Sequence, residues 1–250
     1  MTESQSPSFA VLCYAKFEGI VVRVFDIIRF LPVRAERIFR HFIKPFVEIK
    51  RSPSRLLRFN EHFFWIIELI FYVMDIIGVG EIYETVCDVV KFNSRPLTST
   101  EKATVRRIFG RSVNLARIRI DEFAFLGPRT HGFAYVSGST INCWGELPSE
   151  LFVHEMAHVW QYHKLGSVYI PRALRAQFSE EGYNYGGLPN LLLAIRTGRG
   201  LQHFNLEQQG DILADYSRIQ QGKSARWGNI TSDDLWVFEH LVEDIRNTAA

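Results

Sequence analysis

The spacing of apolar residues predicts that the beginning of the chain is helical. Over residues 9–50, apolar positions recur every three to four residues, while arginines occupy the other side. Pro32 and Pro45 are expected to divide this run, because each proline removes a helical hydrogen bond and crowds the preceding turn. We therefore expect separate helical segments in this part of the chain.

A second helical run is predicted over 61–92, after a polar turn at 50–60. Its most apolar stretch, 63–80, is interrupted by Glu68 and Asp75. A charge near the centre of a bilayer costs about 2.5–3.5 kcal/mol on insertion scales. This stretch is therefore predicted to be a buried helix rather than a membrane span.

Charged residues are unevenly distributed over these helices. Residues 1–60 carry an excess of Arg and Lys, whereas residues 61–90 lean acidic. Two helical segments that pair with each other would explain this asymmetry, and so would a surface that contacts a membrane or a partner protein, so both interpretations stay open. The net charge of +2 argues against nucleic acid as a partner, because nucleic-acid-binding proteins gather cations over a whole face.

The pattern changes near Pro96, where a polar linker at 93–100 separates two regions. We predict an N-terminal helical region, 1–95, and a second domain, 96–250. The second domain is predicted to be α+β and mostly helical, with a small antiparallel sheet, and residues 171–202 are expected to form mainly a long loop. Its predicted elements are a helix at 101–109, a strand at 118–125, a hairpin at 133–144 that turns at Ser137-Gly138, and helices at 149–165, 206–220 and 232–247.

The predicted helix at 149–165 contains the motif HExxH as His154-Glu155-Met156-Ala157-His158. Residues four apart on a helix are separated by about 40° around its axis and about 6 Å along it, so both imidazoles can bind one zinc ion. Glu155 lies beside this point, where its carboxylate can activate a water molecule. The sequence thus predicts His154 and His158 as metal ligands and Glu155 as a general base.

The residues that follow HExxH decide which class of zinc site fits. A metzincin continues as HExxHxxGxxH, but Gln161 stands at the glycine position and Lys164 at the third histidine. His163 points well away from the metal face of the helix. None of these residues is predicted to supply the third ligand.

Glu207 and Asp211 provide suitable acidic groups on the predicted helix at 206–220. They are four residues apart and so share a helix face. We predict that Glu207 is the third metal ligand, and that Asp211 accepts a hydrogen bond from the outer N–H of His154, which would fix the tautomer of that ring. The predicted cofactor is Zn²⁺.

Three stretches carry a family resemblance: RPLTSTEKATVRRIFG followed by ARIRI, then LFVHEMAHVWQ, then FNLEQQGDILADYSR. An HExxH helix followed by an ExxxD helix resembles thermolysin-like gluzincins. More closely, the region from Arg95 to the end of the third stretch resembles bacterial zinc metallopeptidase domains associated with VgrG and Rhs proteins of type VI secretion. The resemblance implies a zincin-like fold, with His154, His158 and Glu207 as zinc ligands and Glu155 as the catalytic base.

The expected activity is hydrolysis of a peptide bond by a zinc-activated water, in a peptide, a protein or peptidoglycan. Tyr183, Tyr185 and His203 lie between the ligand segments and are candidates for donating to the oxyanion; we select Tyr185 as the second catalytic residue. The strand at 139–144, directly before the HExxH helix, is expected to align the substrate as an edge strand.

Other features concern where the protein acts and what else it could be. Cys13, Cys87 and Cys143 are too widely spaced for a disulfide framework, and the N-terminus lacks a Sec signal, so we expect cytoplasmic synthesis. The resemblance implies export by a specialised secretion system, as an antibacterial effector with an immunity protein or a secretion component as partner. The alternatives are a non-catalytic zinc-stabilised interaction module and a membrane-directed module that acts through residues 1–92.

Overall fold

The computed structural model describes residues 9–51, 59–91, 94–124, 128–131 and 133–247. The chain divides into two compact units, Met1–Phe92 and Asn93–Ala250. This division lies slightly before the expected boundary at 95–96, because residues 94–96 pair with a strand of the second unit.

The N-terminal unit contains three helices in its described residues: α1 (Phe9–Arg51), α2 (Phe59–Ile76) and α3 (Val79–Val90). Pro32 and Pro45 lie inside α1, so the expectation that they divide this run is wrong. A proline removes only its own N–H, and α1 packs along both α2 and α3, which supports the helix past these positions. Residues 52–58 of the predicted turn lie outside the described residues.

The second helical run is interrupted at Ile77-Gly78, between α2 and α3. Gly78 has a φ of +75°, and a Cβ at this position would lie 2.7 Å from the Ile27 side chain, so the turn requires glycine. No single described helix is long and apolar enough to cross a membrane. The bent pair Glu61–Ile76 and Val79–Val90 satisfies that criterion together, with an angle of 63° between its halves.

Charged side chains of α1 face those of α3. Arg23 contacts Asp88, with 2.9 Å between Nη2 and Oδ2, and Arg34 contacts Glu81. The expected pairing of the basic and acidic segments is thus confirmed. The prediction of a buried helix over 63–80 is wrong in one respect, because one complete face of α2 is exposed. That apolar face consists of Phe63, Ile66, Ile70 and Val73, and Ile77 directly after the helix continues it.

The second unit contains the remaining helices and the four described strands. Its elements are β1 (Ser94–Pro96), α4 (Ser99–Phe109), β2 (Arg119–Asp121), α5 (Pro128–His131), β3 (Tyr135–Ser137), β4 (Thr140–Asn142), α6 (Ser149–Leu165), α7 (Tyr169–Gln177), α8 (Gly187–Arg196), α9 (Leu206–Gln220) and α10 (Leu235–Asn247). Helices far outweigh strands, which confirms the predicted α+β, mostly helical fold class.

The four strands form one sheet in the order β1-β2-β4-β3. β2 and β4 run parallel, whereas the two outer pairs are antiparallel, so the sheet is mixed rather than antiparallel. β3 and β4 form the predicted hairpin, with its turn at Gly138-Ser139. β4 is hydrogen-bonded on both sides, so the expectation of an edge strand at 139–144 is wrong. β3 is the neighbouring edge of the described sheet.

Residues 171–202 are mostly helical, so the predicted long loop is wrong. α7 begins soon after α6, α8 occupies the middle of the segment, and a 3-10 turn, Gly200–His203, precedes α9. The glycines that suggested a loop lie in the connections instead. Gly182, Gly186 and Gly198 adopt positive φ angles in the turns around α8.

α6 and α9 form the centre of the second unit. Every residue of α6 from Phe152 to Gln161 is buried. α9 begins with a capping box: the backbone N–H of Gln208 donates to the Asn205 side chain (2.9 Å), and the backbone N–H of Asn205 donates to the Gln208 side chain (3.0 Å). The predicted cap is confirmed, and it places Glu207 in the first turn of α9.

Candidate metal centre

Three candidate ligands meet where α6 packs against the first turn of α9. His154 and His158 lie on adjacent turns of α6, and Glu207 lies on α9. Glu207 Oε2 is 3.3 Å from His154 Nε2 and 3.5 Å from His158 Nε2. One ligand atom from each residue lies within 4.8 Å of the others, and all three side chains are buried. The structure thus brings the three residues into an arrangement that can hold a metal ion.

Asp211 contacts the outer nitrogen of His154. Its Oδ1 lies 2.9 Å from His154 Nδ1, which is the contact that the sequence spacing predicts. Its Oδ2 accepts hydrogen bonds from the indole N–H of Trp227 and from the guanidinium of Arg226, the latter 3.3 Å away. Because Nδ1 of His154 donates to Asp211, Nε2 faces Glu207. Sequence reasoning missed Arg226 and Trp227, since no spacing rule shows that the chain folds back along α9.

Two buried glutamines hold the outer nitrogen of His158. His158 Nδ1 donates to Gln161 Oε1 (2.8 Å), and Gln161 Nε2 donates to the backbone oxygen of Leu206 (2.9 Å) and to Gln209 Oε1 (3.1 Å). Gln209 in turn donates to two backbone oxygens before α9. From the sequence, Gln161 was noted only because it does not match the metzincin pattern, and its contact with His158 was not predicted. Its position three residues after His158 was the signal that could have identified it.

The charges of the ligand residues follow from burial and from these contacts. Burial by itself would lower the pKa of His154, but hydrogen bonds with Asp211 and Glu207 outweigh it and raise the pKa to about 10. Burial by itself would raise the pKa of Glu207, but hydrogen bonds from His154 and His158 lower the pKa to about 2. Without a metal, His154 is protonated at neutral pH. A divalent cation must displace that proton, so metal affinity rises with pH.

Gly210 allows α9 to approach the ring of His154 closely. A Cβ at position 210 would lie 2.7 Å from both Cε1 and Nδ1 of His154, closer than real Cβ contacts. Glycine inside a helix costs about 1 kcal/mol relative to alanine. The space that the imidazole occupies explains why glycine stands here. A glycine within the ExxxD segment was visible in the sequence, but only the ring position gives it a role.

Replacing Gly210 by alanine is expected to lower zinc affinity by about 10–100-fold, because the His154 ring must move from its present contacts. In a helix with no ring beside this position, the same substitution would stabilise the protein by about 1 kcal/mol, because alanine has the higher helix propensity. A zinc titration against a competing chelator measures the affinity. Gly19→Ala in α1 is the matched control, because it also replaces a helical glycine by alanine. The nearest atom to its Cβ would be the end of the flexible Arg23 side chain, 3.2 Å away. Equal zinc affinities for the two variants would contradict the prediction.

Glu155 is a buried acid beside the three candidate ligands. Only 4% of the residue is exposed, and its Oε2 is buried without a hydrogen-bond partner. Burial raises the pKa of Glu155; the charges of His158 and His154 oppose the shift, and that of Glu207 reinforces it. A buried carboxyl oxygen without a partner is costly, so a further group such as a water belongs at this position.

Tyr183, rather than Tyr185, lies beside the ligand residues. The ring centroids of Tyr183 and His154 are 5.8 Å apart. Burial, reinforced by the charge of Glu207, raises the pKa of Tyr183 to about 12, so its hydroxyl keeps its proton. Tyr185 is fully buried, and its hydroxyl donates to Asp215 Oδ2 (2.8 Å). The selection of Tyr185 as a catalytic residue is therefore corrected, because a core hydroxyl engaged with Asp215 is not available to a substrate.

The other histidines near the motif make contacts of a different kind. His203, the third candidate donor, packs its ring against Phe204, with 5.0 Å between the ring centroids. His163 Nε2 lies 3.0 Å from Ser139 Oγ, at the turn of the hairpin. These contacts agree with the expectation that His163 points away from the metal face.

A comparison with known proteins finds a partial similarity. The chain is 27% identical over 140 residues to the type VI secretion system spike protein VgrG2b of Pseudomonas aeruginosa. This chain is thus similar to a part of a type VI secretion protein. The match covers 49% of this chain and 13% of VgrG2b, so the chain spans only a small part of that protein's length. No protein-family model and no solved structure matches the chain.

The donor set of the candidate metal centre fits a zinc ion. Two imidazole nitrogens and one carboxylate oxygen are ligands that zinc prefers, and three protein ligands leave a coordination position open. Among the described residues, no fourth side chain joins this group of ligand atoms. The buried, unpaired Oε2 of Glu155 is an independent observation that fits a polar ligand at this site.

Proposed function

We propose that this protein is a zinc-dependent metallopeptidase in which His154, His158 and Glu207 hold the metal and Glu155 is the general base. The observation that carries this proposal is the convergence of three buried ligand atoms beside a buried carboxyl oxygen without a partner. A structural zinc site needs no such carboxyl, whereas zinc-assisted hydrolysis requires one.

Bound zinc would supply Lewis acidity, by lowering the pKa of a water and polarising a substrate carbonyl. Glu155 Oε2 takes a proton from the attacking water and later delivers it to the leaving amine nitrogen. Burial raises the pKa of Glu155, which helps the carboxyl to hold the proton between the two transfers. Tyr183 keeps its phenolic proton at neutral pH, so it can donate to the developing oxyanion.

β3 is the strand on which we propose that the substrate lies. It is an edge of the described sheet and packs against α6. Tyr169 connects this strand to the site: its hydroxyl donates to the backbone oxygen of Val136 (2.7 Å), and its ring lies 6.1 Å from that of His158. A chain paired with such an edge is held extended, which aligns one peptide bond with the catalytic groups. Peptides, proteins and peptidoglycan cross-links are the substrate classes that fit.

The proposal extends to the protein's biological setting, as an antibacterial effector exported by type VI secretion. The similarity to part of VgrG2b supports the link to this secretion system. A hydrolase of peptide bonds would harm the cell that makes it, so an immunity protein is the partner we propose. Components of the secretion apparatus are the second class of partner.

A zinc site that only stabilises the fold is the rival to this proposal. Structural sites usually have four protein ligands. Asp215, one candidate for a fourth, accepts hydrogen bonds from the Tyr185 hydroxyl and from the backbone N–H of Arg226 (2.7 Å) and of Trp227. His203, the other candidate, is outside the ligand group found among the described residues. An open coordination position favours catalysis over a structural role.

Metal reconstitution tests the proposed activity. The purified chain, stripped with a chelator, is expected to take up one zinc ion and to hydrolyse a substrate only when loaded. Suitable substrates are unfolded casein, a degenerate library of quenched fluorescent peptides, and purified peptidoglycan. A chain that binds one zinc ion tightly but leaves all three substrates intact would favour the structural rival.

A further inference from the structure

The outer surface of α2 and α3 is apolar from Phe63 to Val90, after the exposed Glu61 and His62 in the first turn of α2. Between residues 63 and 90, every exposed residue is apolar or tyrosine, and no charged residue is exposed. On α2 these are the four residues of the exposed face described above, followed by Ile77. On α3 they are Ile82, Tyr83, Val86, Val89 and Val90. A helix on the surface of a water-soluble protein normally shows the reverse pattern, with charged residues outward.

Two acidic residues near the junction of the same helices are turned inward, whereas Glu61 at the start of α2 is exposed. Asp75 and Glu81 are only 5% and 9% exposed. Arg34 of α1, itself 8% exposed, donates to the backbone oxygen of Asp75 (2.6 Å) and to the carboxylate of Glu81. A buried ion pair of this kind lies where a water-soluble bundle would place its apolar core.

Further polar contacts join α1 to α2 and α3 on the inner side of the unit. Arg23 reaches Asp88 and also donates to the Thr85 hydroxyl (2.8 Å). At the other end, His41 Nδ1 lies 3.5 Å from the carboxylate of Glu68, and His41 is 4% exposed. The basic segment of the sequence and the acidic one therefore neutralise each other inside the unit.

α1 adds an exposed apolar stripe of its own. Phe17, Val21, Val24, Ile28 and Leu31 are 44–68% exposed, and their spacing of three and four residues places them on one face. The exposed charged residues of this helix lie on a separate side, and they are Glu18, Arg29, Glu36, Arg40 and Lys44. α1 is thus amphipathic on the surface that it presents outward.

We infer that α1, α2 and α3 bind a lipid bilayer, with the outer faces of α2 and α3 in the hydrocarbon region and the charged side of α1 at the headgroups. Ionisable residues within a bilayer face the interior of a helical bundle and pair there, as Asp75 and Glu81 do with Arg34. Large exposed apolar surfaces mark interfaces. The bent pair α2–α3 also meets the length and hydropathy criterion for a broken span.

Lipid is the occupant that this surface fits best. A protein partner would contact one side of the bundle, whereas all three helices expose apolar residues and no charged residue between 63 and 90 is exposed. The exposed cations of α1, Arg29, Arg40 and Lys44, complement anionic headgroups, which attract basic groups near a membrane surface. This inference does not depend on the proposed activity of the second unit.

Vesicle flotation of the full chain tests the inference. The chain is expected to float with vesicles of phosphatidylcholine and phosphatidylglycerol. Ile70→Asp is expected to lower the partition coefficient about 100-fold, since a carboxylate in hydrocarbon is strongly disfavoured. Leu193→Asp in α8 is the matched control, because Leu193 is 45% exposed and Ile70 is 52% exposed. The control variant is expected to float as the unaltered chain does.

A photoactivatable phospholipid provides a second measurement that does not depend on the folding of a variant. Labelling of the unaltered chain is expected to fall on residues 63–90. Labels that avoid this range, or equal flotation of Ile70→Asp and Leu193→Asp, would overturn the inference. Sedimentation that shows oligomers in a chain that does not float would also overturn it, and would assign the apolar surface to contacts between copies.

Discussion

Glu155→Gln is expected to reduce the turnover of the zinc-loaded protein about 10²–10⁴-fold, with one zinc ion still bound per chain. Glutamine keeps the shape of the side chain, and Glu155 is not among the three converging ligand residues, so the metal centre is preserved. The variant loses the group that accepts the water proton, and general base catalysis contributes about this factor. Steady-state rates and zinc content by mass spectrometry are the two measurements.

Glu150→Gln on the same helix is the matched control for this experiment. Glu150 pairs with Arg218 and with Lys223, each 3.4 Å away, at the start of α6. Such partly exposed ion pairs contribute little, so full turnover is expected. An active Glu155→Gln enzyme would show that another group is the base, and loss of zinc together with activity would give Glu155 a role in metal binding.

Glu207→Ala is expected to lower zinc affinity by roughly 10²–10³-fold. Structural zinc sites bind with about 10–16 kcal/mol of apparent free energy at neutral pH, so one ligand of several contributes about 3–4 kcal/mol. The loss also removes the acidic partner that both histidines share in the metal-free protein. Competition with a chromophoric chelator measures the affinity, and a chelator-treated sample measures the activity that remains.

Glu239→Ala provides the comparison, since Glu239 is an exposed glutamate on α10 and the same chemical group is removed. Its zinc affinity is expected to equal that of the unaltered chain. If Glu207→Ala bound zinc equally well, the metal would lie elsewhere, and the proposed function would lose its basis.

The ligand positions could be predicted from the sequence because they depend on local rules. The spacing of His154 and His158 places them on one face of any helix. The cap at Asn205 fixes where α9 begins, and so places Glu207 in its first turn. The packing of α6 on α9 does not follow from such local rules. The resemblance to metallopeptidase domains implies it, and the structure shows it.

Local rules could not show which of the residues around the candidate ligands take part in the site. Tyr183 and Tyr185 are separated by a single residue in a segment with no periodic pattern, so nothing local decides which hydroxyl points into the core. β4 loses its expected edge position because β2 pairs with its other side, which is a long-range contact. Gln161 is held by Leu206 and Gln209, and Trp227 binds Asp211, so both depend on contacts between residues that are distant in the sequence.

The N-terminal unit shows a different limit of pattern reasoning. The apolar pattern correctly predicted helices in this part of the chain, but it does not state which side of a helix faces inward. The apolar residues of 63–80 were expected to be buried. Arg34 and Asp75 lie between the helices instead. Asp75, whose charge was an argument against a membrane-spanning helix, is therefore enclosed by the three helices.

The metal ligands lie on two helices, with α7 and α8 between them in the chain. No short fragment can therefore assemble the pocket, and the energy of ion capture is released only when the second unit completes its fold. Unfolding of the second unit would therefore separate these ligands and release any ion that they hold, and only refolding would restore the capacity to bind it.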